Sequence, residues 1–193
     1  MRRVALVVCA LAVAGCGSSG GKVTVTRSEL PRTVLQPADV PGSWTQFADE
    51  EQARIDMHPG PRQSPTRFGR EDGWIARYRG TQHGSPVVVE SRADVFDSVN
   101  GAKKDLDAYR DEIKAGVPGS GATTKLLPAP ALGEGSVAGE LRQGPSVFMI
   151  VAWRRSNETA SITLEGRAKT ATLGDGVQLA RRQDKRLAAA ARA

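Results

Sequence analysis

The chain has 193 residues, 39% hydrophobic and 25% charged, with 27 Lys and Arg against 21 Asp and Glu for a formal charge of +6. That is enough apolar material for the core of one domain, and the positive excess is too small and too scattered to mark a nucleic-acid surface. Both cysteines, Cys9 and Cys16, lie at the N-terminal end, so the fold has to hold together without disulfides.

Arg2 and Arg3 open the chain, and an uninterrupted apolar run follows from Val4 to Ala14. The run is shorter than the ~20 residues that span a bilayer and has the length of a signal-peptide core. The next residues, Val13-Ala14-Gly15-Cys16, resemble the bacterial lipobox, in which lipid is attached to the cysteine thiol and the chain is cut just before it. The resemblance implies a signal peptide over 1–15, lipidation of Cys16, a membrane partner through that lipid, and a place on the extracytoplasmic side of the cell membrane. Cleavage would remove Arg2 and Arg3 and leave a charge of +4. Residues 17–21 form a flexible Gly/Ser tether. The expected division is therefore a lipidated tether and lead over 16–34, then a single domain over 35–193.

In the lead, Val23 to Thr26 alternate like a strand, and the prolines that follow predict an extended, turn-rich path rather than a long helix. Trp44 and Phe47 are expected anchors of a first short strand. Residues 49–72, with Pro59, Pro61 and Pro65, many charges and few apolar side chains, read as a long surface loop. Regular structure resumes with two strands, 74–79 and 86–93. Trp74, Ala76 and Tyr78 face one side and Arg77 and Arg79 the other; Val87 and Val89 face one side and Val88, Glu90 and Arg92 the other. The turn at 81–85 joins them as a hairpin.

Val95, Val99, Ala102, Leu106, Tyr109 and Ile113 then recur at spacings of three and four, the stripe of an amphipathic helix. Asp97 or Ser98 caps its start, and Gly116 and Pro118 end it. Strands follow at 123–127, 136–142, 146–155 and 159–167. The run from Val147 to Trp153 is apolar on both faces, which predicts a strand covered on both sides. A last helix from Leu173, with Asp175 as its expected cap, buries Leu173, Val177, Ala180, Leu187 and Ala191 and turns Arg181, Arg182, Lys185 and Arg186 outward.

The order predicts an α+β fold: an antiparallel sheet of about five to seven strands flanked by two main helices. The opening Leu35-x-x-Ala38-Asp39-Val40-Pro41-Gly42, the Val147-to-Arg154 strand and the closing Leu179-Ala180-Arg181-Arg182-Gln183-Asp184 helix resemble the small exported α+β lipoproteins of actinobacteria. Several of these are similar in fold to PsbP or Mog1. The resemblance implies little chemistry to transfer.

The residues themselves point away from catalysis. His58 and His83, both in expected loops with Asp56 and Asp72 as possible company, fall short of a convergent metal set, so no metal and no cofactor are expected. Ser85, Ser91, Ser98 and Ser146 lie outside a Gly-x-Ser-x-Gly elbow, and no catalytic residue is assigned. The candidate binding surface is the polar side of the hairpin, Arg77, Arg79, Glu90 and Arg92, continued by Thr159, Ser161, Thr163 and Glu165 on a later strand. Its expected partner is an envelope protein, lipid or glycan, not nucleic acid. The expected function is a non-enzymatic binding or accessory module of the cell envelope. The alternative is a carrier of a lipid or other apolar ligand, with an enzyme third.

Overall fold

The computed structural model describes residues 25–52, 62, 64, 66–116 and 121–191. Seven strands, β1 (Thr45–Glu51), β2 (Arg70–Gln82), β3 (Ser85–Phe96), β4 (Thr123–Leu127), β5 (Ser136–Gln143), β6 (Ser146–Arg155) and β7 (Glu158–Arg167), form one antiparallel sheet. Their spatial order is β1-β2-β3-β7-β6-β5-β4. Three helices pack on it: the one-turn α1 (Leu30–Thr33), α2 (Val99–Ala115) and α3 (Leu173–Ala190). This is the expected α+β architecture, at the upper end of the expected strand count. Among the described residues no helix is long and apolar enough to cross a membrane.

Alternation along the strands decides which helix covers which face. Ala76, Tyr78, Val87, Val89, Val151, Trp153, Ile162 and Leu164 point to one side, where α1 and α3 close a core with Leu30, Leu35, Leu179 and Leu187. The smaller cluster on the other side joins Val137 and Ala152 to Leu106, Tyr109 and Ile113 of α2. Strand β6 is thus covered on both faces, as its apolar run predicts.

Several boundaries differ from the sequence reading. β1 extends through Glu51 and β2 begins at Arg70, so both ends of the expected 49–72 loop are paired strand; the charges at 49–51 are tolerated because β1 is the sheet edge and none of its residues is buried, and Arg70 and Asp72 because each is ion-paired. Val95 belongs to β3, where it opposes Glu158, and α2 starts at Val99 with Ser98 as its cap, its side chain accepting from Gly101 N (3.1 Å). Thr172, not Asp175, caps α3. Phe47 is 47% exposed, while Trp44, just ahead of β1, is the buried anchor.

Among the described residues, packing extends ahead of Leu35 as far as Val25. Val25, Leu30, Thr33, Val34 and Leu35 are all buried, and hydrogen bonds fasten this lead to the sheet where no strand pairing is available. The Asn157 side chain bonds both the N–H and the carbonyl of Val25 (3.2 and 3.1 Å) and also donates to Phe96 O (2.9 Å). Leu35 N–H donates to Ser91 Oγ (2.9 Å), which donates to Gln183 Oε1 (2.8 Å), while Tyr78 OH donates to Leu35 O (2.8 Å). These partners satisfy backbone groups that burial would otherwise leave costly.

Candidate functional site

The sheet face under α2 carries the polar residues singled out from the sequence. Register sets them in rows across β2, β3 and β7: Gly73–Asp94–Thr159, Ile75–Arg92–Ser161, Arg77–Glu90–Thr163, and Arg79–Val88–Glu165. Arg77, Arg79, Glu90, Arg92 and Glu165 therefore do share one face. They do not share one environment. Arg79 is exposed and Arg77, Glu90, Thr163 and Glu165 are half-buried, whereas Arg92, Ser161 and Thr159 are buried.

The exposed half is a mixed-charge patch. Arg77 Nε donates to Glu90 Oε2 (2.7 Å) directly across the strands, and the Arg79 guanidinium lies 5.7 Å from the centre of the Phe47 ring. An ion pair this exposed adds little stability, and an exposed aromatic–arginine pair beside it is made of the residue types that partners use as anchors.

The buried half is a cluster that the sequence reading missed. Asp94 accepts from Arg70 Nε (2.7 Å), Arg92 Nε (2.9 Å), Arg62 (3.2 Å) and Arg67 (3.5 Å). Asp105, from α2, accepts from Arg62 Nε and Arg67 Nε (3.0 Å each) and from Thr159 Oγ1 (2.7 Å). The Arg62 guanidinium also stacks 3.5 Å above the Tyr109 ring, whose hydroxyl lies 3.0 Å from Ser161 Oγ. Burial alone would raise the Asp94 pKa, but Arg92, Arg70 and Arg62 outweigh it and hold the carboxyl far below the ordinary range. Burial likewise lowers Arg62, and Tyr109, Asp105 and Asp94 reverse the shift. Glu112, at the margin, is pushed up by burial, with Arg62 offsetting part of the rise.

Gly73 makes room for the cluster. A Cβ there would stand 2.2 Å from the Arg70 guanidinium and 2.3 Å from Asp94 Oδ1. Arg62 and Arg67 lie between β1 and β2, and their pairing with both Asp94 of the sheet and Asp105 of α2 ties these two residues to the helix and to the strand beneath it. Arg92 is thus a structural ion-pair partner and not part of an open surface. One signal in the sequence does mark this region: Asp105 falls three residues after Ala102 and four before Tyr109, on the apolar stripe of α2 rather than on its polar side.

The remaining candidates stay apart. His83 lies in the β2–β3 turn with φ of 48°, and Asp72, buried at the start of β2, is paired with Arg27 of the lead. Among the described residues no group of His, Cys, Asp and Glu could hold a metal. His58, Asp56, Cys16 and the 1–15 signal lie outside the described residues.

No family model matches the chain, and no curated protein matches it. A solved structure shares its fold. The chain is similar to the extracellular domain of PknH from Mycobacterium tuberculosis, with a TM-score of 0.62 at 10% identity, over 86% of this chain and 100% of that one. At that identity the likeness is one of fold.

Proposed function

We propose that this chain is a lipid-anchored extracytoplasmic module that works by binding an envelope partner, not by catalysis. The observation that carries the reading is the division of one sheet face: its buried half is locked by the Asp94 and Asp105 pairs, and its outer half presents Arg77, Arg79, Glu90, Thr163 and Glu165 at the surface. A rigid floor beneath a polar, half-exposed rim holds side chains in place for recognition without ordering cost on binding. The lipobox-like Val13-Ala14-Gly15-Cys16 and a fold shared with an extracellular domain support the location. A carrier would hold its ligand between sheet and helix, and that space is filled by Trp153, Tyr78, Leu35, Ile162 and Leu187.

Two experiments test the reading. Cys16→Ala is expected to abolish acyl labelling and move the protein out of the membrane fraction; unchanged labelling and membrane association would refute the anchor. For the binding face, the Arg77→Gln/Arg79→Gln double variant should remain as stable as wild type within about 1 kcal/mol, since the Arg77–Glu90 pair it removes is largely exposed. It should also lose partners that co-purify with the detergent-solubilised wild type. Identical partner sets from the two proteins, compared by mass spectrometry, would rule this face out.

A further inference from the structure

Strands β3 and β7 separate at one end of the sheet. Their pairing stops at Val88–Glu165, short of Pro86, which has no N–H to carry a ladder on, while β6 stays paired with β7 as far as Ser146–Arg167. An open groove of about 310 Å³ lies at this end, lined by Pro86, Val88, Pro145, Ser146, Glu165 and Arg167. Val88, Glu165 and Phe148 form one row across β3, β7 and β6, on the face that α2 covers further along, where Ile150 and Ala152 pack against it. Here no described helix lies over the row, and all three side chains are half-buried.

The groove holds two charges of opposite sign. Glu165 and Arg167 are two residues apart on β7, so they share a face and sit about 7 Å apart along the strand. Among the described residues neither side chain enters an ion pair or a hydrogen bond. The other arginines of this face are engaged: Arg77 donates to Glu90, and Arg79 lies against Phe47. Around the two charges the walls are stiff. Pro86 and Pro145 have fixed φ, and the backbone of Arg167 is held at both polar groups, its N–H donating to Thr170 Oγ1 (2.9 Å) and its carbonyl accepting from the same hydroxyl (3.0 Å). Glu165 stands between two apolar neighbours, Val88 and Phe148.

We infer that this groove binds a short zwitterionic peptide, its terminal ammonium on Glu165, its carboxylate on Arg167 and its first side chain against Val88 and Phe148. The inference goes beyond the partner-binding reading above and shares only Glu165 with it. An extended dipeptide spans about 7 Å, the spacing of the two charged residues, whereas a free amino acid carries both of its charges on one carbon. Both contacts are charge-assisted, and a guanidinium meets a carboxylate through two parallel N–H groups. The groove has the volume of a small-ligand site, and its fixed walls keep the ordering cost of binding low.

The test titrates the detergent-solubilised full chain with leucyl-alanine by calorimetry, beside the N-acetylated and the C-amidated forms of the same dipeptide. Saturable binding of the free dipeptide is expected, and capping either end should weaken it about ten-fold or more, the loss of a hydrogen bond between charged groups. Glu165→Gln should weaken the free dipeptide by the same factor and leave the N-acetylated one unchanged. Arg167→Gln should do the same for the free dipeptide and leave the amidated one unchanged. Both substitutions are at the surface, so an unchanged urea midpoint confirms that each variant is folded. Wild type that shows no saturable binding, or that binds free and capped dipeptides equally, overturns the inference. So does a variant that weakens its matching capped dipeptide as much as the free one. The Arg77→Gln/Arg79→Gln variant lies outside the groove and separates the two readings: lost partners without dipeptide binding overturns this inference alone, and the expected dipeptide pattern with unchanged partner sets upholds it while the wider face fails.

Discussion

Asp94→Asn is expected to destabilise the domain by about 3–5 kcal/mol, the loss typical when one member of a buried ion network is removed and its partners stay behind. Asparagine preserves the shape of the site but removes the charge on which Arg62, Arg67, Arg70 and Arg92 converge. Domains of this kind are stable by only about 5–15 kcal/mol in total, so the shift in the urea midpoint should be large. The cluster also predicts an asymmetry. Among the described residues Asp94 is paired with four guanidinium groups and Asp105 with two, so taking away Arg67 leaves both aspartates paired while taking away the Asp94 charge strips a partner from four cations at once. Arg67→Met should therefore cost clearly less than Asp94→Asn, and equal costs would show that charge balance does not govern the cluster. Because the folded-state pKa of Asp94 is depressed, its contribution is present above the ordinary carboxylate range and is lost only as pH falls toward the folded value. The advantage of wild type over the asparagine variant should therefore be constant above about pH 4 and shrink as pH falls below it.

This cluster also marks where sequence reading stops. The alternation of Trp74, Ala76 and Tyr78 against Arg77 and Arg79 was enough to place a half-buried strand, and the spacing of Ala102, Leu106, Tyr109 and Ile113 was enough to place α2, because both patterns are local. Arg92 carries the same local pattern as Arg77 and Arg79, so all three read as one polar surface. What separates them is contact with residues far away in the chain: Arg62 and Arg67 reach Asp94 and Asp105 across separations of 27 to 43 residues, and no periodicity encodes which segment lies over which strand. The lead shows the same limit. Its prolines correctly exclude a long helix, yet the bonds from Asn157 to Val25 and from Ser91 to Leu35 depend on side chains 132 and 56 residues away. An extended segment fastened by side chains looks, in sequence, like a tether.

A second buried carboxyl underlies the fixation of the lead, and its behaviour with pH should be opposite to that of Asp94. Glu158 opens β7 on the face covered by α1, is fully buried, and has no hydrogen-bond partner for either oxygen among the described residues. Burial, partly offset by the nearby Thr33 hydroxyl and reinforced by the negative charges of Asp94 and Glu29, pushes its pKa up to about 8. In the unfolded chain a glutamate titrates near ~4.3, so between these values the folded state holds a proton that the unfolded state has released. Stability must then fall as pH rises from about 5 to 8 and level off above that. At neutral pH the cost is on the order of 3 kcal/mol. Glu158→Gln keeps the size and neutrality of the protonated acid but cannot ionise. It should match wild type at pH 5 and exceed it at pH 8, with a flatter profile between. Thermal unfolding of both proteins across this range decides the matter: parallel profiles would mean that Glu158 is paired or hydrated in solution. Since Glu158 lies beside Thr33 of α1, amide protection in the lead, corrected for the intrinsic base-catalysed rate, should fall between pH 5 and 8 in wild type and much less in the glutamine variant, which ties the carboxyl to the fixation of the lead.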